Sequence, residues 1–282
     1  MLMFSGLGKA ASYTNLAIFE AMNLDLSNRN ALVCGSTQGI GKATAVTLAK
    51  MGANVTLMAR NEEKLQAVLS ELDTSQGQSH NYACADFSNV ENVKSAAQSI
   101  TANKNIHILI NNTGGPAGGS ITDASTDAFE SAFQMHVVCN QILAQAVTPG
   151  MKTDGFGRVV NIISTSVKIP IAGLGVSNTI RGAVASWAKT MSNELGQFGI
   201  TVNNVLPGFT DTNRLKSLIT KKAENQGVSE EQIANGMKAQ IPAARFAQAE
   251  EVANAAAFLC SPAAAYINGI NVPVDGGRTG AL

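Results

Sequence analysis

From Asn30 onward the sequence switches repeatedly between two periods. Short, β-branched or apolar runs read as strands at Asn30–Gly35, Asn54–Ala59, Ser79–Ala85, Ile106–Ile110, Arg158–Ile163, Thr201–Leu206 and Gly269–Val274, with the third run the weakest. Helix-length amphipathic segments separate them: Gly39–Met51, Glu62–Leu72, Val90–Thr101, a long one from about Ser125 to Met151, Val176–Phe198 and Glu250–Leu259. Strands of near-continuous apolar character, such as Ile106-His-Ile-Leu-Ile110, fit positions buried on both faces. Regular alternation with helices implies a parallel sheet. Right-handed crossovers make that sheet an α/β, doubly wound, three-layer one.

No Pro/Ser-rich linker divides the chain, so residues 22–282 read as one domain. Residues 1–21 read as an N-terminal extension of unknown role, without the basic start and apolar run of a signal peptide. A polar stretch at about 210–247, with Gly227, Gly236 and Pro242, reads as an irregular, lid-like segment. Twenty basic residues balance twenty acidic ones, giving no basic footprint for nucleic acid. No apolar stretch reaches membrane-spanning length. With only 14% charged residues, part of the apolar surface is expected at subunit contacts. The dispersed cysteines (Cys34, Cys84, Cys139, Cys260) suggest a reducing compartment and no metal site.

The first strand runs into Gly35-Ser36-Thr37-Gln38-Gly39-Ile40-Gly41 and then a helix. Glycines there allow a sharp turn and a close backbone approach to a diphosphate, which the helix amino end attracts. The spacing Gly-x3-Gly-x-Gly resembles that of the short-chain dehydrogenase/reductase family. The resemblance continues through Asn111-Asn112-Thr113-Gly114, Pro207-Gly208 with Thr210 and Thr212, and Asp275-Gly276-Gly277, and covers about Asn23 to Gly277. It implies a Rossmann-type sheet of about seven strands, a nicotinamide cofactor, and a homotetramer or homodimer in the cytoplasm. The implied cofactor contacts are Gly35, Ser36, Gln38, Gly39, Ile40, Gly41, Asn112, Thr113, Gly114, Pro207, Gly208, Thr210 and Thr212, with Asp86-Phe87 at the adenine. Asp86 could equally cap a helix.

The second strand ends Met58-Ala59-Arg60. It offers no carboxylate for a ribose 2′-hydroxyl, and Arg60 presents a fork suited to a 2′-phosphate. NADP(H) is therefore expected in preference to NAD(H), with Lys42 a further source of positive charge.

The catalytic region departs from the family, whose reductases use Asn, Ser, Tyr and Lys. The Ser is Ser164. The Tyr position holds Ser177 and the Lys position Arg181, so Ser-Asn-x-x-Arg replaces Tyr-x-x-x-Lys, and the Asn position holds His136. Ser177 is a poor acid, whereas Arg181 stays protonated and can hold a ribose or oppose an alkoxide. Arg181 and Ser177 share a helix face. His136 has an ordinary pKa near 6.5, suited to proton transfer, and Lys168 is another candidate donor. Three readings stay open: a 3-oxoacyl reductase-like oxidoreductase acting on a small carbonyl or secondary alcohol, a substituted site with another activity, and a catalytically inactive nucleotide-binding or sensor protein.

Overall fold

The structure is a computed structural model that describes residues 22–281, so the extension read over 1–21 lies outside the described residues. Seven strands form one parallel sheet: β1 (Asn30–Cys34), β2 (Asn54–Ala59), β3 (Asn81–Cys84), β4 (Ile108–Asn111), β5 (Gly157–Ile162), β6 (Ile200–Pro207) and β7 (Asn271–Val274), in the order β3-β2-β1-β4-β5-β6-β7. The helices are α1 (Gly39–Lys50), α2 (Glu62–Leu69), α3 (Val90–Thr101), α4 (Thr126–Phe133), α5 (Cys139–Thr153), α6 (Gly175–Leu195), α7 (Asn213–Gln226), α8 (Glu230–Lys238) and α9 (Ala249–Cys260). No helix of the described residues is long and apolar enough to cross a membrane.

Strand alternation assigns the two cores. Ala31, Val33, Val55, Leu57, Ile108 and Ile110 pack toward α1, α2 and α9. Their neighbours Leu32, Cys34, Met58, Leu109 and Val159 pack toward α3, α5 and α6. Both sets are buried, which is why the strand sequences show no polar alternation.

The sheet also carries a polar row. Asn111, Asn161, Asn204 and Asn271 stand in register across β4 to β7. The amide of Asn111 donates to Asn161 (2.8 Å), that of Asn161 to Asn204 (2.9 Å), and that of Asn204 to Asn271 (2.8 Å). The row ends just beneath Asn112.

Two expectations are corrected. The long helix is interrupted: a π turn, Gln134–Val138, joins α4 to α5 and carries His136. The stretch read as irregular at 210–247 contains α7 and α8. Thr212 caps α7 by accepting from Leu215 N, and Gly227 ends it at φ +63. Ser229 and Gln232 form a capping box on α8. Leu215, Ile219 and Ala223 recur every fourth residue as the buried stripe of α7, and Leu215 and Ile219 pack with Met237 of α8. Polar composition hid this narrow stripe, because both helices are mostly solvent-facing.

Candidate active site

Strands β1 to β3 run outward on one side and β4 begins on the other side of β1. The order therefore reverses between β1 and β4, where open α/β sheets leave a crevice at the strand carboxyl ends. A cleft of about 820 Å³ lies there.

One end of the cleft is built by the start of α1. The N-cap Gln38 makes no side-chain cap bond and the first turn has no acidic residue, whereas Asn61, Asn89 and Ser125 cap α2, α3 and α4. The first N–H groups of α1 and the helix dipole therefore lack a side-chain anion. Gly35 and Gly39 adopt φ +58 and +53, and a Cβ on Gly35 would overlap the Asn112 carbonyl. Asn112 Nδ2 donates to the carbonyls of Cys34 (3.3 Å) and Gly35 (3.2 Å), holding the loop against β4.

Of the cofactor residues expected from sequence, Gly35, Gln38, Gly39, Ile40, Arg60, Asp86, Phe87, Asn112, Thr113, Gly114, Arg181, Pro207, Gly208, Thr210 and Thr212 line this cleft. Ser36 and Gly41 do not. Ser36 is fully buried, and its hydroxyl accepts from Met58 N (3.1 Å) to tie the loop to β2. Gly41 is needed because a Cβ there would overlap the Gly35 carbonyl. Lys42 turns outward to Glu71 at 2.8 Å. Asp86 is not the cap of α3, a place taken by Asn89. Bonds from the Ser88 backbone and hydroxyl, and then the nearby Arg60, hold the Asp86 carboxyl below its usual range.

Ser164, Ser177, His136 and Arg181 line the other end of the same cleft. Ser164 follows β5 and caps a short 3-10 turn, its Oγ accepting from Ser166 N (3.1 Å). Its own O–H is left to donate. Lys168 closes that turn and is not part of the lining. The other tyrosines of the described residues are distant: Tyr82 on β3 bonds Glu62 and Gln66, and Tyr266 is fully exposed.

His136 is 2% exposed. Its Nδ1 lies 2.7 Å from Thr113 Oγ1 and 3.4 Å from Arg181 Nη1. A guanidinium can only donate, so Nδ1 is the acceptor and the proton sits on Nε2. Nε2 has no partner. Burial, then the Arg181 charge, push the imidazole pKa down to about 3 against a weaker upward pull from the Gly114 backbone. The expectation of a titrating group near neutral pH is thus corrected: this imidazole is neutral.

Arg181 is also buried, and burial followed by repulsion from Arg214 lowers its pKa to about 10, so it remains a cation. Among the described residues it donates to His136 and, at 3.5 Å, to the Ile162 carbonyl.

Thr37, Met135, Arg214 and Arg278 line the cleft without having been singled out in the sequence. Thr37 sits inside the recognised glycine loop. Arg278 follows the Asp275-Gly-Gly motif and lies over the Phe209 ring at 4.4 Å, a pairing across almost seventy residues that no local pattern signals.

A family model described as Enoyl-(Acyl carrier protein) reductase matches residues 35–279. The chain is 31% identical over 260 residues to 7alpha-hydroxysteroid dehydrogenase of Escherichia coli (strain K12), covering 92% of this chain and 98% of that one. It is 32% identical over 256 residues to the 3-oxoacyl-[acyl-carrier-protein] reductase FabG of Vibrio cholerae, covering 90% and 98%. Among solved structures, L-sorbose reductase from Gluconobacter frateurii, complexed with NADPH and L-sorbose, superposes with a TM-score of 0.86 at 28% identity over 93% of this chain and 100% of that one.

Proposed function

Because the chain belongs to the short-chain dehydrogenase/reductase family, we propose that it is an NADP(H)-dependent oxidoreductase that interconverts a small carbonyl compound and its secondary alcohol. The observation that carries this reading is the convergence, at one sheet crevice, of an uncapped helix amino end, a glycine cradle and the Ser164–His136–Arg181 group. The NADPH named with the L-sorbose reductase and the carbonyl chemistry named for FabG support it.

The residues fit the cofactor. The first turn of α1 and the Gly35–Gly39 loop would hold the diphosphate, and Arg60 at the end of β2 the 2′-phosphate. Asp86 and Phe87 would flank the adenine, and Arg181 the nicotinamide ribose. When bound, the reduced nicotinamide supplies hydride. The protein's own part is to bind and protonate. Ser164 donates its hydroxyl hydrogen to the substrate oxygen, while the Arg181 cation opposes the negative charge that develops there.

The proton comes through a neutral imidazole. His136 Nε2–H is given to the oxygen as Nδ1 takes the hydrogen of Thr113 Oγ1, which is refilled from solvent. The ring gains one proton as it loses one, so no second cation forms beside Arg181. This role suits a group whose pKa is too low for a stored proton. The α7–α8 segment is a lid over the cleft in this scheme, with Asn213 bonded to Gln38 at 3.3 Å. A homodimer or homotetramer over the outer faces of α4–α5 and α6, and a cytoplasmic site suited to four free thiols, complete the proposal.

NADPH consumption with a panel of ketones and aldehydes tests it. His136→Ala is expected to lower kcat about 100-fold or more while NADPH binding persists, in the range general acid–base groups contribute. Ser164→Ala should also lower kcat. Full turnover by His136→Ala would refute the relay. NADPH binding without turnover of any carbonyl would favour the sensor reading that the missing phenol motivates.

A further inference from the structure

The chemistry end of the cleft has an unbalanced charge. Arg181 from α6 lies at this end, and Arg214 from the first turn of α7 and Arg278 from the C-terminal segment line the same cleft. Among the described residues of the lining the only carboxylate is Asp86. Asp86 follows β3, three strands from β4 and thus about 14 Å across the sheet, where it sits with Arg60.

The imbalance is concentrated near Gly115. Arg181 Nη2 and Arg214 Nη2 lie 3.6 and 3.9 Å from the point where a Cβ on that glycine would stand. Two guanidinium forks thus face one small space next to the β4 loop. Arg181 is 7% exposed, and its two acceptors are neutral and long, at 3.4 and 3.5 Å. Among the described residues Arg214 makes one hydrogen bond, from Nη2 to the Pro116 carbonyl at 2.7 Å. Among the described residues, the buried Nε of Arg278 and the buried Nε2 of His136 meet no hydrogen-bond partner within bonding geometry. A buried cation without a counter-charge is costly, and the described residues supply none beside Arg181. The phosphates of the cofactor belong at the other end, on α1 and Arg60, and ribose hydroxyls are uncharged.

We propose, building on the carbonyl-reductase reading, that the substrate is an oxo acid, its carboxylate taken by Arg214 beside Arg181 while its carbonyl oxygen meets Ser164. A planar fork matches a carboxylate in shape as well as charge, and a neutral ketone would leave the buried Arg181 uncompensated, whereas Arg214 is exposed and free to turn to an incoming anion.

Matched pairs decide it. Pyruvate, acetoacetate and levulinate, which separate carbonyl and carboxylate by increasing distance, are each compared with their methyl esters as substrates of the NADPH-loaded enzyme. At least one acid should exceed its ester in kcat/KM by about tenfold or more, as a charge-assisted hydrogen bond provides. Arg214→Gln should collapse that ratio, chiefly through KM of the acid, with the NADPH dissociation constant unmoved. Lys221→Gln removes one charge from the exposed side of α7 and should leave the ratio intact. Esters turned over as well as every acid would overturn the proposal. So would an Arg214→Gln variant that loses NADPH affinity, because the arginine would then serve the cofactor. If neither acids nor esters are reduced, the carbonyl-reductase reading fails, and titration of the acids into NADP+-loaded protein still judges the anion site. Binding of an acid but not its ester, lost in Arg214→Gln, sustains the site, and no discrimination overturns it.

Discussion

Acid should destabilise this protein through one imidazole. His136 is held at a pKa of about 3 in the folded chain, by burial first and the Arg181 charge second. In the unfolded chain the same ring titrates near 6.5. Between those two values the unfolded state binds a proton that the folded state refuses, so stability rises with pH across that window. The contribution is complete above about pH 6.5 and is lost progressively as pH falls toward 3, at up to about 1.4 kcal/mol per pH unit. Going from about pH 7 to about pH 4.5 therefore removes about 2.5 kcal/mol from this source alone. His107 shifts in the same direction, chiefly through burial, and several carboxylates titrate lower down, so the total slope is steeper. Subtraction isolates the term. His136→Asn places an uncharged amide in the π turn, and urea unfolding of both proteins at the two pH values gives four stabilities. The wild type should lose about 2.5 kcal/mol more than the variant. A difference below about 0.5 kcal/mol would mean that the ring is not a buried neutral base, and the proton relay built on that state would fall with it.

Two further outcomes follow from named contacts. Asn161→Leu breaks the middle of the asparagine row and leaves the Asn111 amide and the Asn204 carbonyl buried without their partners, at a cost of about 3 kcal/mol. Thermal melting should show a fall of roughly 6–10 °C, and an unchanged Tm would refute the row's stabilising role. Arg60→Gln should weaken NADPH binding about tenfold with little change for NADH in a fluorescence titration, and equal losses for both would remove Arg60 from the 2′-phosphate site.

Much of this architecture is written locally. A strand is recognisable from a run such as Ile108–Asn111 because burial on both faces demands apolar residues one after another. The glycine loop is recognisable because positive φ at Gly35 and Gly39 restricts the residue type at that place. Ser164 and the shared face of Ser177 and Arg181 follow from strand ends and helix spacing alone. The helices at Asn213–Gln226 and Glu230–Lys238 had local signals too, the Ser229–Gln232 box and the Leu215–Ile219–Ala223 stripe, outweighed in reading by polar composition.

The state of the chemistry was decided elsewhere. The doubly wound sheet was legible from local patterning, as were the glycine loop at the end of β1 and the Ser177–Arg181 spacing on α6, because each depends on residues within a few positions of one another. Packing alone set the rest: His136 is neutral, Ser36 and Gly41 lie outside the cleft lining, Arg181 and Arg214 meet at Gly115, and Arg278 joins the same cleft. Charge and desolvation act through distance in space, and these groups come from α6, α7, the C-terminal segment and a π turn that adjoin only once the chain is folded.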